Sequence, residues 1–163
     1  MKISVLQPTS IGNLDPADTS IGEAIYSIYK NNETPIVEIL WNDVRLEIDG
    51  ISLSKLIFDI WNTLSLLREN RPTFDIYFFD NAFTTNWHFS SVNDELHIYS
   101  QWTVVKGFTS KNGKLHKLQT LTVDTIKKND LIVSFEQILR QIRNDLCSAG
   151  YSESLEDFHY LII

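Results

Sequence analysis

The chain has 163 residues, with 43% apolar and 12% aromatic side chains and a formal net charge of -7. That length fits one domain spanning 1–163, large enough to bury a core without a metal or disulfide staple. The acidity disfavours nucleic acid and anionic membranes as partners and favours a basic protein or a cationic ligand.

The first segments read as a short strand over 2–7, stopped by Pro8, and then a loop rich in Pro, Ser, Asn and Asp up to residue 20. Ile21, Ala24, Ile25, Ile28 and Tyr29 recur at helical spacing, and the stretch Asn31 to Pro35 ends that helix. Residues 36–41 read as a strand. Asn42-Asp43 suits a tight turn, and Val44, Leu46 and Ile48 alternate with charged residues in a second strand closed by Asp49-Gly50. Leu53, Leu56, Ile57, Ile60, Trp61, Leu64 and Leu67 then form one helical stripe, with Ser52 or Ser54 as the expected cap, Arg68 near the C-terminus and Pro72 as the stop.

A strand-rich middle follows. Phe74, Ile76 and Phe78, then Thr85, Trp87 and Phe89, then Leu96, Ile98 and Trp102 each alternate with a second set of residues. Asp80-Asn81 and the run Val92 to Glu95 supply turns. Asn112-Gly113 is the sharpest hairpin signal in the chain, with 115–126 expected as the returning strand. Asn129, as a cap, opens a second long helix to Ala149, with Leu131, Phe135, Ile138, Leu139, Ile142 and Leu146 as its buried stripe and Gly150 as its stop. The acidic tail ends in apolar residues 158–163, read as a strand or as a segment packed on the core. The expected fold is α+β: an antiparallel β-meander sheet with two long amphipathic helices packed on one face.

The charge is unevenly spread. Residues 1–105 hold 14 acids against 6 Lys/Arg, whereas Lys106, Lys111, Lys114, Lys117, Lys127 and Lys128 face only Asp124 within 106–128. A lysine block without arginine lacks the planar fork of a phosphate clamp, and it reads as an exposed hairpin or sheet edge. The lone Cys147 reads as a buried, inert helix residue, and a single cysteine excludes an intrachain disulfide. The apolar run at the N-terminus is too short for a signal peptide, so the expected location is the cytoplasm.

Chemistry-bearing patterns are absent from the sequence. The histidines His88, His97, His116 and His159 make no metal-binding spacing, although His88 and His97 fall where cross-strand neighbours would. No nucleophile elbow, thiol motif or phosphate-cradling glycine loop occurs. The expectation is therefore no catalytic residue, no metal and no cofactor. What stands out is the second set of the meander: Asp75, Tyr77, Phe79, Asn86, His88, Glu95, His97, Tyr99 and Gln101. An ordinary solvated face favours Thr, Lys, Glu and Ser. This one combines rigid aromatics with polar tips, the composition of recognition surfaces. Asp75, Tyr77, Asn86, His88, Glu95, His97, Tyr99 and Gln101 are the candidate partner-binding residues.

Taken together, the net charge, the strand pair from Trp41 to Ile48 leading into the Leu53–Leu67 helix, and the aromatic meander resemble the immunity proteins of bacterial toxin–immunity and contact-dependent inhibition systems. The resemblance implies a cognate protein toxin, often a basic nuclease, masked in a tight 1:1 complex. Immunity proteins differ widely in fold, so it carries no residue role onto this sequence. A competing reading is a small-molecule or enzymatic pocket between sheet and helices near Trp61, Trp87, His88 and Trp102. A homo-oligomer joined through the outward face is a third.

Overall fold

The computed structural model describes residues 1–109 and 113–162. Strand β1 (Lys2–Val5) leads through a long loop to helix α1 (Ile21–Tyr29), followed by β2 (Val37–Trp41) and β3 (Val44–Ile48). Helix α2 (Gly50–Arg68) precedes the strands β4 (Thr73–Phe79), β5 (Phe83–Val92) and β6 (Glu95–Val105). Helix α3 (Lys114–Thr120), β7 (Val123–Lys127), α4 (Lys128–Ala149) and a 3₁₀ turn (Phe158–Leu161) complete the chain. The expected α+β meander is present as an antiparallel sheet of order β4-β5-β6-β7, and β1-β2-β3 form a second, three-stranded antiparallel sheet.

Local chemistry sets the ends of these elements. Ser20 and Glu23 form a reciprocal capping box at α1. Asn42 and Asp43 both have positive φ (43° and 64°), the geometry that a two-residue turn between twisted strands needs. Asp49, expected in a turn, is instead the cap of α2, and its carboxylate accepts from Ser52 N at 2.8 Å. The two serines expected to cap are used otherwise: Ser52 Oγ donates to Asp80 and Ser54 Oγ to the Ile51 carbonyl. Gly50 can sit here because it has no side chain, since a Cβ would lie 2.1 Å from that of Tyr29.

Three further expectations are corrected. Residues 115–120 belong to α3, not to the returning strand, because Leu115, Leu118 and Leu121 recur at helical spacing and Leu118 is buried. Only Val123–Lys127 pairs with β6. Of the Asn112-Gly113 hairpin, Asn112 lies outside the described residues, and Gly113 (φ 72°) stands at the head of α3. Helix α4 follows β7 with no intervening loop, so its first turn starts after Lys127 without a side-chain cap, and Asn129 lies inside the helix. Its predicted stripe is buried, and Gly150 closes it in the left-handed conformation (φ 101°). Cys147 is exposed rather than buried, because it sits one residue past Leu146 and turns off that stripe. The apolar tail forms a 3₁₀ turn whose Phe158 and Leu161 are buried.

The core lies between the inner faces of both sheets and the helices. Trp41 from the small sheet stacks on Trp87 of the meander at 5.7 Å and meets Trp102 edge-on at 5.2 Å. The sheets are also tied at one edge. Trp41 Nε1 donates to the Leu121 carbonyl at 2.6 Å, and the Asp124 carboxylate accepts from Asn42 N at 2.7 Å and from the Met1 amine at 2.6 Å. Helix α4 packs against β1 and β7, α2 against β4, and α1 against both α2 and α4. Large apolar side chains on every inner face are thereby removed from water, each contributing about 1.5–3 kcal/mol.

Candidate docking face

The inner face of the meander takes Ile76, Phe78, Trp87, Phe89, Leu96, Ile98 and Trp102, all buried. Alternation sends their neighbours outward, and the register sorts these into cross-strand rows. Asp75 lies opposite His88, which lies opposite Tyr99, which lies opposite Val123. Tyr77, Asn86 and Gln101 form the next row, and Ser90, His97 and Thr125 a third. Glu95 pairs with Lys127 at the far end.

All eight candidate residues are thus on one face. Tyr77 is 56% and Tyr99 46% exposed; Asp75, Glu95 and Gln101 are exposed, and Asn86, His88 and His97 are half-buried by their neighbours. His88 Nδ1 lies 3.0 Å from Asp75 Oδ1, and its ring is tilted against Tyr99 at 6.0 Å between centroids. That pair holds the imidazole in one orientation and joins the first row into a unit. His88 and His97 share the face but are not directly opposite, because His97 pairs with Ser90. Among the described residues no group of three or more His, Cys, Asp or Glu is arranged to hold a metal ion.

Three apolar contributors lie beyond those eight residues. Phe79, 64% exposed, stacks on Tyr77 at 5.9 Å and is the most exposed large apolar residue of the face. Its outward position was legible from alternation. Val123, 38% exposed, extends the Asp75 row on a strand whose span differs from the expected one. Val104 is also 38% exposed, and simple alternation from Trp102 would bury it. A register shift between Thr84 and Thr85 sends Val104 out and Val105 in, and nothing in the sequence period signals that irregularity. Lys127 is the one cation in these rows, at the edge beside Glu95, so the face is aromatic and amide-rich with an acidic balance.

Among the described residues, the four expected around a sheet–helix pocket form no comparable site. His88 points away from Trp87 and Trp102, and Trp61 packs on Tyr160 at 4.5 Å, so the four residues expected around a pocket do not converge. The cavity lined by Ile39, Leu56, Phe78 and Trp87 is about 20 Å³, with apolar exposed walls and room for about one water.

Buried polar groups elsewhere serve the fold. Asp80, 3% exposed, accepts from Lys55 Nζ (2.5 Å), Ser52 Oγ (2.8 Å) and Ala82 N (2.9 Å) and pins the β4–β5 turn onto α2. Burial alone would raise its pKa, but these three donors outweigh burial and hold the carboxyl below its ordinary value. Tyr29, fully buried, donates to Asp145 Oδ2 at 2.5 Å, and Gln141 donates to the other oxygen at 2.8 Å. Burial and that carboxylate push the phenol pKa far upward.

The fold and this surface define an α+β chain that presents one mixed aromatic–polar sheet face. Comparison with known protein families, curated proteins and solved structures finds no match. No helix among the described residues is long and apolar enough to cross a membrane.

Proposed function

We propose that the chain is a binding protein that neutralises a cognate bacterial toxin by forming a tight 1:1 complex through the outward face of β4–β7. One observation carries the reading. Tyr77, Phe79 and Tyr99 stand about half exposed or more on a single face, in register with Asp75, His88, Asn86 and Gln101. Rigid rings next to polar tips are what a protein interface uses for contact area and for specificity. The net charge of -7 and the scarcity of cations on the face suit a basic partner of the nuclease type, attracted over distance. Nucleic acid and membrane are not partners in this proposal, and it places the complex in the cytoplasm with no catalytic residue, metal or cofactor on this chain.

The test is co-expression with the protein encoded beside this chain. A toxic neighbour should be silenced by the wild type and bind it 1:1, with an association rate that falls as salt is added. Tyr77→Ala and Tyr99→Ala should each weaken binding about 30-fold if they are central anchors. A harmless neighbour, or a complex indifferent to both substitutions, removes the proposal.

A further inference from the structure

The four-stranded sheet has two edges, and the fold treats them differently. The β7 edge is occupied: Asn42 Nδ2 donates to the Val123 carbonyl at 2.7 Å, and the Met1 amine donates to the Thr125 carbonyl at 2.5 Å. The β4 edge is not. Among the described residues, the backbone of Thr73–Phe79 hydrogen-bonds only to β5. Alternate residues of an edge strand turn both N–H and C=O away from their neighbour, and without a protein partner these groups must be solvated.

Edges left open are usually blunted by lysine, proline, a bulge or short length. In the small sheet, β1 has only four residues, and β3 carries Arg45 paired with Glu38 and Glu47. Helix α2 packs against β4 on its inner side, where Leu56 and Ile60 share a cavity lining with Phe78, and no short length, bulge or cation blunts the strand itself. It has seven residues, Thr-Phe-Asp-Ile-Tyr-Phe-Phe, an unbroken register with β5, no proline and no cation. Its one charge is Asp75. Such a segment is a template for another strand.

We infer that β4 pairs antiparallel with β4 of a second copy of this chain, making a two-fold dimer with a continuous eight-stranded sheet. The strand's own sequence selects the occupant and the register. Pairing centred on Ile76 uses all seven residues, placing Asp75 opposite Tyr77, Phe74 opposite Phe78 and Thr73 opposite Phe79. The single charge of each strand then meets a phenol. Pairing centred on Asp75 would set carboxylate against carboxylate and leave part of each strand unpaired. A two-fold interface satisfies both open edges at once and closes, leaving no further edge to recruit a third copy. The dimer sets the two outward faces side by side, with Asp75, Tyr77 and Phe79 in lateral contact at the seam, and its formation does not require a toxin.

Sedimentation equilibrium under reducing conditions, which keep the exposed Cys147 from cross-linking, decides the matter. The wild type should pass from an 18.9 kDa species to one of twice that mass as its concentration rises. The double variant Thr73→Lys with Phe79→Lys sets lysine against lysine at both ends of the paired strands. It should weaken the dimer by about tenfold or more. Thr73→Lys with Phe79→Glu sets lysine against glutamate at the same places and should restore dimerisation towards the wild-type level. Both positions are exposed, and circular dichroism checks that each variant is folded. A wild type that stays monomeric at every concentration overturns the inference. So does a dimer to which the two double variants respond alike, as they would if a foreign strand or another surface were the natural contact.

Discussion

Asp80→Ala tests the idea that one buried carboxylate locks the meander onto the helical layer. The substitution removes the acceptor for Ser52 Oγ, Ala82 N and Lys55 Nζ. Lys55 is 48% exposed and can turn to water, so its share is modest. Ser52, 3% exposed, cannot, and an unsatisfied buried donor costs about 1–3 kcal/mol. With the lost turn contact to Ala82, the deficit should be about 3 kcal/mol at pH 7, or a fall in Tm on the order of 10 °C. The pH dependence is diagnostic. The carboxyl is held below 3.8, its value when unfolded, so the stabilisation is complete above pH 3.8 and fades as pH falls further and the folded group protonates. Urea unfolding of wild type and variant at neutral and acid pH should therefore show the gap closing toward low pH. A gap that is equal at both pH values, or below about 0.5 kcal/mol at neutrality, refutes this account.

Three further substitutions probe other points. Asp59, whose carboxylate has no partner among the described residues, is pushed up to about 6 by burial alone. Its ionisation opposes folding, so Asp59→Asn should stabilise by about 1 kcal/mol above pH 6 and not at all below pH 4, the reverse of the Asp80 trend, in paired denaturant titrations. Gly50→Ala drives a Cβ into Tyr29 and should destabilise by about 3 kcal/mol, read as a lowered urea midpoint; an unchanged midpoint would show that α1 and α2 can separate freely. Tyr29→Phe leaves Asp145 with Gln141 as its remaining donor and should lower stability by about 1–3 kcal/mol, and a double-mutant cycle with Asp145→Asn should show strong coupling between the two sites.

The parts of this fold that were legible in the sequence are those with a long, uniform period. The stripes of α2 and α4, and the inward sets of β4, β5 and β6, emerge in the structure as buried surfaces because each covers two or more repeats of its own geometry. The outward position of the eight candidate residues follows from the same alternation. Short-range chemistry was less readable. Leu115, Leu118 and Leu121 support a single helical turn or two, which alternation over so few residues mimics, so the sequence pattern of α3 fits a strand equally well. Asp49-Gly50 carries turn chemistry and cap chemistry in the same atoms, and only the bond from Ser52 N to the Asp49 carboxylate shows which one operates. The β2–β3 hairpin follows from its Asn42-Asp43 turn, but the pairing of β1 with β2 and the contacts of Trp41 and Asp124 that tie this sheet to the meander are long-range, and no local pattern encodes them.

The exposed rings set a limit on what the outward face can do alone. An aromatic side chain buries about 150–250 Å² when fully covered. Tyr77, Phe79 and Tyr99 are each about half exposed, so a partner can remove roughly 300 Å² of mostly apolar surface, or about 7 kcal/mol before any cost. Ordering two proteins into one complex costs an estimated 4–15 kcal/mol or more. The rings by themselves therefore give weak association at best. Tight masking of a toxin requires the polar members of the same rows to contribute, above all Asp75, Glu95 and the oriented His88. Removing the carboxylate by Asp75→Asn should for that reason slow association with a basic partner and flatten its salt dependence, while Tyr99→Ala should mainly speed dissociation. A partner whose binding depends on the rings but ignores Asp75, Glu95 and salt would be a neutral apolar ligand of this face, not a basic toxin.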